Sequence, residues 1–105
     1  YMAIDDMLRV ASHAVGALAP GAHVVFETAG EVIEMGDLAS RVLAVTGNDP
    51  ESVSRPAYDP GAPADDYFGD PTVLDRLAAA AGVVPAGLDA QVVSTAEWLV
   101  RQGIA

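Results

Sequence analysis

A proline-rich segment at residues 48–69 limits most strongly what this chain can fold into. It carries four prolines and one central glycine: Pro50, Pro56, Pro60, Pro63 and Gly61. Because proline fixes φ and has no backbone N–H, neither a regular helix nor a central strand can run through this spacing. We therefore predict a long loop, with residues 53–55 as a candidate short strand inside it. A loop this long in a small domain is more often functional than a simple connection.

Four segments outside this loop have the apolar periodicity of amphipathic helices. Apolar residues three to four positions apart predict helices that start near Met7, at Met35, at Asp70 and at Leu88. The apolar positions of the first helix form one stripe, which consists of Leu8, Ala11, Val15 and Leu18.

Residues with capping preferences stand at the predicted helix ends. Either Asp5 or Asp6 is placed to cap the first helix, and Asp70, which a proline follows, is placed to cap the third. Gly47 and Gly82 follow the second and third helices, where a left-handed residue commonly ends a helix.

Residues 23–28 are rich in β-branched and aromatic side chains, which predicts a strand. Together with the helices, this predicts an α/β fold with about four helices and two or three short strands, in one domain that covers residues 1–105. An isolated strand at 23–28 would expose an unpaired edge, so we expect self-association there. Phe68 and Trp98 are expected to anchor the core.

The composition excludes several classes of function. The formal net charge is −10 and all five basic residues are arginines, too few for a nucleic-acid interface or for an anionic membrane surface. The absence of lysine and cysteine excludes Schiff-base chemistry, disulfides and thiolate metal sites. Two isolated histidines form neither a metal site nor a recognisable catalytic base. No apolar run reaches the roughly 18 residues of a membrane helix and no secretory signal opens the chain, so we expect a cytoplasmic protein.

Five short motifs follow one another in an order and near spacings that occur in a known family. They are Tyr-Met-Ala-Ile-Asp-Asp at 1–6, Phe-Glu-Thr-Ala-Gly-Glu at 26–31, Met-Gly-Asp-Leu-Ala at 35–39, the Asp-to-Pro block at 70–85 and Thr-Ala-Glu-Trp at 95–98. Over nearly its whole length the chain thus resembles the C-terminal, substrate-binding portion of an extended short-chain dehydrogenase/reductase. This is the NAD-dependent epimerase/dehydratase family, whose members act on nucleotide sugars.

The resemblance implies that the chain is one part of an enzyme. In the family this portion docks on a Rossmann domain, which carries the Gly-rich dinucleotide turn and the catalytic Tyr-Lys pair. The present chain has no Gly-x-Gly-x-x-Gly motif and no lysine, so alone we expect it to be non-catalytic and to bind no cofactor. The intact enzyme would be an oxidoreductase or isomerase that uses NAD or NADP. Its partners would be the missing Rossmann half and a small anionic substrate such as a nucleotide sugar.

The resemblance also implies four substrate-binding residues. Arg55 matches the arginine that binds the substrate diphosphate, and a guanidinium makes forked, charge-assisted bonds to phosphate oxygens. Tyr58 and Asp59 match positions that often touch the nucleotide. Glu27 stands where the family usually has asparagine beside the substrate, and a carboxylate there would accept a sugar hydroxyl or repel a diphosphate. The substrate can therefore differ from a nucleotide sugar.

Each of these interpretations has a plainer alternative. Arg55 can be an ordinary solvated arginine of a loop. Tyr58 and Asp59 can serve only to pack the loop, and Glu27 can be a solvent-facing residue on an edge strand. Residues 60–65 are extra relative to the family, so the loop can be rebuilt. For the whole chain, the alternative is a stand-alone acidic α/β binding or protein-interaction module, and a homo-oligomer stays open.

Overall fold

The computed structural model describes residues 1–57, 59–63, 66 and 68–104, and within them the chain is helical. Its elements, in chain order, are α1 (Ile4–Ala17), α2 (Met35–Thr46), a 3₁₀ turn (Pro50–Ser52), α3 (Thr72–Ala81) and α4 (Leu88–Arg101). The four predicted helices are confirmed. No helix in the described part of the chain is long and apolar enough to cross a membrane.

The predicted α/β fold is wrong, because no strand or sheet occurs among the described residues. Residues 22–34 have no regular secondary structure, and residues 53–55 form no strand either. Phe26 packs against the core while Val25 is exposed. Its side chains therefore alternate between core and solvent as in a strand, but the segment forms no strand pairing. Strand propensity reflects packing on a sheet, and the described residues offer no second strand with which this segment pairs. The predicted edge-strand self-association loses its basis for the same reason.

The chain divides into two compact units. The first consists of Tyr1–Val32 and Phe68–Gln91, and the second consists of Ile33–Tyr67 and Val92–Ala105. Helices α1 and α3 lie in the first unit, whereas α2 and the 3₁₀ turn lie in the second.

The core of the first unit forms where α1 packs against α3. Its buried cluster consists of Val10, Leu74, Ala78 and Val83. Leu74 is one of the largest fully buried side chains, and small Ala78 one turn later lets the two helices approach closely. Because this cluster is small, each of its side chains accounts for a large share of the apolar area that this unit buries.

Helix α1 starts earlier and turns another face to the core than its sequence predicts. Its N-cap is Ala3, which makes no side-chain capping bond, so the predicted Asp5 or Asp6 cap is wrong. The carboxylate of Asp6 instead accepts the backbone N–H of Ala86 at 2.8 Å. The buried apolar residues on the inner face are Val10 and Ala14, and the outer face includes the exposed stripe residues Leu8 and Val15. Leu18, the last residue of the predicted stripe, lies beyond the helix end.

The remaining helix ends largely follow the capping rules. The N-cap of α3 is Pro71, which makes no side-chain capping bond, so the predicted Asp70 cap lies one residue too early. The carboxylate of Asp70 nevertheless accepts the backbone N–H of Thr72 at 2.9 Å and its hydroxyl at 2.6 Å, just before the helix. These two donors, the hydroxyl first, lower the pKa of Asp70. Gly47 and Gly82 are the left-handed C-caps of α2 and α3, with φ of 68° and 65°. Both glycine predictions are confirmed.

Two aromatic residues do not occupy the positions that the sequence predicts for them. Phe68 and Trp98 are both exposed, so the expectation that they anchor the core is wrong. Size and apolarity favour burial, but a side chain becomes core only where another element covers it.

Candidate ligand groove in the second unit

A groove of about 580 Å³ lies in the second unit, between the start of α2 and the proline-rich loop. Its size is within the range of small-molecule sites. Most of its lining is apolar or small, with three charged side chains: Glu34, Arg55 and Asp59. The predicted functional loop therefore contributes to a concave surface.

Arg55 projects from the loop and forms an ion pair across the groove lining. Its Nη2 donates to Oε2 of Glu34 at 2.9 Å, and the two side chains are about half exposed, at 47% and 56%. Pro56, the next residue, restricts the backbone of Arg55 to extended conformations and so limits where the guanidinium can lie. The arginine is neither buried nor a freely solvated side chain.

Gly36 in the first turn of α2 makes room for this guanidinium. A Cβ built at Gly36 would overlap Cζ, Nη1 and Nε of Arg55. The guanidinium thus lies directly against the backbone of the helix start, an approach that any larger residue would block. Residue 36 is buried although it has no side chain, which is consistent with this cover.

Glu34 is the N-cap of α2 as well as the partner of Arg55. Its carboxylate accepts the backbone N–H of Asp37 at 3.1 Å. The backbone N–H of Gly36 is the main cause that lowers the pKa of Glu34, and Asp37 and Arg55 lower it further. The carboxylate is therefore ionised at neutral pH and occupies the helix N-terminus, where anions are favoured.

Sequence reasoning missed Glu34. A signal was present, because a carboxylate directly precedes the predicted helix start at Met35 and a glycine follows one position later. No motif linked that glutamate to Arg55, since the two lie 21 residues apart in the chain.

Asp59 lines the same groove as Arg55, so two of the four predicted substrate-binding residues share one surface. Its Oδ1 accepts the backbone N–H of Gly61 at 2.8 Å, which is a local turn of the kind that aspartate commonly makes. Tyr58 lies outside the described residues.

Glu27 belongs to the first unit and has a local structural contact there. Its Oε2 accepts the backbone N–H of Asp70, just before α3, and a Cβ on Gly69 would approach the same oxygen closely. Glu31 makes a similar bond, because its carboxylate accepts the N–H of Leu88 at 3.1 Å in the first turn of α4. The predicted substrate contact of Glu27 stays a prediction.

The described residues contain no group of three or more histidine or acidic side chains placed to hold a metal ion. His13 and His23 are both exposed. In comparisons with protein-family models, with curated proteins and with solved structures, nothing matches the chain. The family resemblance therefore depends on the five sequence motifs alone.

Proposed function

We propose that this chain is the substrate-binding portion of an NAD(P)-dependent epimerase, dehydratase or reductase. In this proposal the groove of the second unit holds the anionic part of the substrate, such as the diphosphate of a nucleotide sugar. The observation that carries the proposal is the guanidinium of Arg55, which lies over Gly36 in a groove of small-molecule size. The family motif around Arg55 implies the same diphosphate-binding role, independently of the groove.

Glu34 already occupies the position that a phosphate would take. A carboxylate and a phosphate both accept forked, charge-assisted bonds from a guanidinium, and both are favoured at a helix N-terminus. Because half-exposed ion pairs contribute little to stability, a diphosphate can replace Glu34 at small cost. Once Glu34 turns away, the N–H groups of Gly36 and Asp37 become additional donors to the substrate.

Asp59 fits a second role in the same groove. A carboxylate accepts two hydrogen bonds from a vicinal diol, as in a ribose or a hexose. With Arg55 on the diphosphate and Asp59 on the sugar, the groove would bind both chemical parts of a nucleotide sugar. The formal net charge of −10 repels anions at long range, so binding depends on these local contacts.

In this proposal, the reaction itself belongs to the missing Rossmann half. That partner would bind NAD or NADP and supply the acid/base pair, since this chain has no lysine and no Gly-rich dinucleotide motif. The contribution of the present chain is to orient the substrate carbon toward the cofactor. It also restricts which leaving group or sugar can enter.

Titration calorimetry of the 105-residue chain with uridine diphosphate, compared among variants, tests the groove. Arg55→Ala should weaken binding by about 1.5–3 kcal/mol, the range for hydrogen bonds to charged groups, and Arg55→Lys should restore only part of it because an ammonium cannot make the forked contact. Glu34→Gln should strengthen binding, because it removes the competing charge.

The matched control is Arg76→Ala, which changes the net charge equally at a residue that does not line the groove. If Arg76→Ala weakens binding as much as Arg55→Ala does, the loss of affinity comes from the change in net charge and not from a binding site at Arg55. If Glu34→Gln weakens binding, Glu34 is a ligand contact and not a competitor.

A second candidate, an acidic helical binding or protein-interaction module, is favoured by a different observation. Large apolar side chains are exposed, among them Trp98 at 50% and Val84 at 89%, and a contiguous patch of such residues would be typical of a surface that binds other proteins. The reading frame upstream of Tyr1 separates the two candidates. A Rossmann-type coding sequence fused there supports the enzyme portion, and a start codon at that point supports the module.

A further inference from the structure

A single oxygen of Glu34 binds both the start of α2 and the proline-rich loop. Oε2 of Glu34 accepts the backbone N–H of Asp37 at 3.1 Å and Nη2 of Arg55 at 2.9 Å. The two donors come from different segments of the second unit, yet they converge on the same atom. They therefore define one position for an anionic oxygen, and the chain itself supplies the oxygen that fills it.

The shared oxygen couples the loop contact to the helix cap. A rotation of the Glu34 side chain that carries Oε2 away from Arg55 also carries it away from the N–H of Asp37, so the two bonds break together. We call the state with Oε2 in place closed, and the state with Glu34 turned into solvent open. The Glu34 side chain is 56% exposed, so solvent already reaches it and the turn requires no other group to move.

We propose that Glu34 is an autoinhibitory residue of the groove, and that an anionic ligand binds only the open state. This inference rests on the proposed function, because it concerns the regulation of the same site. It adds that the apparent affinity of every such ligand is its intrinsic affinity multiplied by the open fraction. A tethered competitor acts at an effective concentration of about millimolar or more, so ligands in solution compete with it at a disadvantage.

Two modest contributions set the open fraction. Opening breaks the capping bond at the start of α2, and loss of such a bond typically shifts an equilibrium by a factor of roughly 5. It also breaks a half-exposed ion pair, which contributes a further factor of roughly 1.5–5. The product makes the open state a minority of about one molecule in ten. The groove is therefore inhibited about tenfold but is not blocked.

Charge repulsion by Glu34, without occupancy of the position, predicts a different pattern of affinities. A competitor that must leave lowers the affinity of every entering anion by the same factor, because the open fraction does not depend on the ligand. Repulsion instead grows with the charge of the ligand and arises from any acid at a similar distance. Ligands of different charge, together with a second acid in the same helix turn, therefore separate the two mechanisms.

Titration calorimetry of the 105-residue chain with uridine monophosphate and uridine diphosphate tests the inference. Glu34→Ala should raise the affinity for both ligands by the same factor, roughly tenfold. Glu34→Ser should also raise it and should keep the helical circular dichroism, because serine caps a helix but is too short to reach Arg55. The matched control is Asp37→Asn, which removes one charge from the first turn of α2 and keeps the backbone N–H. It should change both affinities by less than about twofold, since its charge does not fill the position.

Carbon-13 NMR of the Glu34 carboxyl group follows the change of state directly. When the wild-type chain is saturated with uridine diphosphate, this resonance should move to the value of a solvated glutamate. An unmoved resonance in the saturated protein would overturn the inference.

The failure of this inference differs from the failure of the proposed function. Equal gains in Glu34→Ala and Asp37→Asn would show repulsion and overturn autoinhibition, as would unchanged affinity in both Glu34 variants. In either case a loss of binding in Arg55→Ala would still support the groove as the site. If Arg55→Ala binds uridine diphosphate as tightly as the wild type does, or if no variant binds it, both proposals are wrong.

Discussion

Val83 and Val84 are adjacent and identical in the sequence, yet the structure buries one and exposes the other. Val83 is 5% exposed within the core cluster of the first unit, and Val84 is 89% exposed. Val83→Ala removes two methyl groups, worth about 0.8 kcal/mol each when buried. A partly relaxed cavity adds about 0.5 kcal/mol. We expect a loss of about 2 kcal/mol in the free energy of unfolding, a large share of the roughly 5–15 kcal/mol of a typical domain.

Urea denaturation followed by circular dichroism at the helical band gives this free energy directly. With a slope of about 1–1.5 kcal/mol per molar urea, the midpoint for Val83→Ala should fall by roughly 1.5 M. Val84→Ala is the matched control, because it deletes the same two methyl groups one residue later. Its midpoint should move very little, since an exposed side chain leaves no cavity. Equal losses in the two variants, or a larger loss in Val84→Ala, would refute the assignment of the core in this segment.

Two further predictions concern the helix starts. Gly36→Ala should displace the guanidinium of Arg55 and weaken uridine diphosphate binding as Arg55→Ala does. The same variant should leave the free energy of unfolding unchanged or raise it by up to about 1 kcal/mol, because alanine favours a helix and the displaced group is the flexible end of a side chain. A loss of both binding and stability would contradict this reasoning. The hydroxyl and N–H of Thr72 lower the pKa of Asp70 in the folded protein. The ionised carboxylate therefore stabilises the fold at a pH above its unfolded-state pKa. This contribution is lost as the pH falls through its folded-state pKa. Thr72→Val should raise the pKa of Asp70 toward its ordinary value, and Thr72→Ser should not; carboxyl NMR titration measures both, and an unchanged pKa in Thr72→Val would contradict the hydroxyl as its main cause.

Local chemistry was sufficient to predict the helices and several of their ends. Apolar periodicity located all four helices, and Gly47 and Gly82 marked the C-termini of α2 and α3 because glycine enters the left-handed region without steric cost. The proline-rich segment was correctly predicted to be a loop over its described residues, and Arg55 and Asp59 in it line the groove. These features depend on residues that are close together in the chain.

Features that depend on distant residues were not predictable in this way. Residues 23–28 have strand propensity, but a strand exists only with a partner, and none is present among the described residues. Glu34 was missed as the partner of Arg55 because only the folded loop brings the two charges to 2.9 Å. The carboxylates of Asp6, Glu27 and Glu31 likewise accept N–H groups from residues far along the chain.

By itself, the sequence determined where helices form, where they stop and where the chain must loop, because these properties follow from side-chain entropy, capping and the geometry of proline and glycine. The tertiary structure alone decided which apolar residues are covered. It buried Val83 and not Val84, and it turned Val10 toward α3 while Leu8 and Val15 on the same helix stayed exposed. The physical reason is that burial requires a second surface, and the position of that surface is a property of the whole fold, which no local pattern contains.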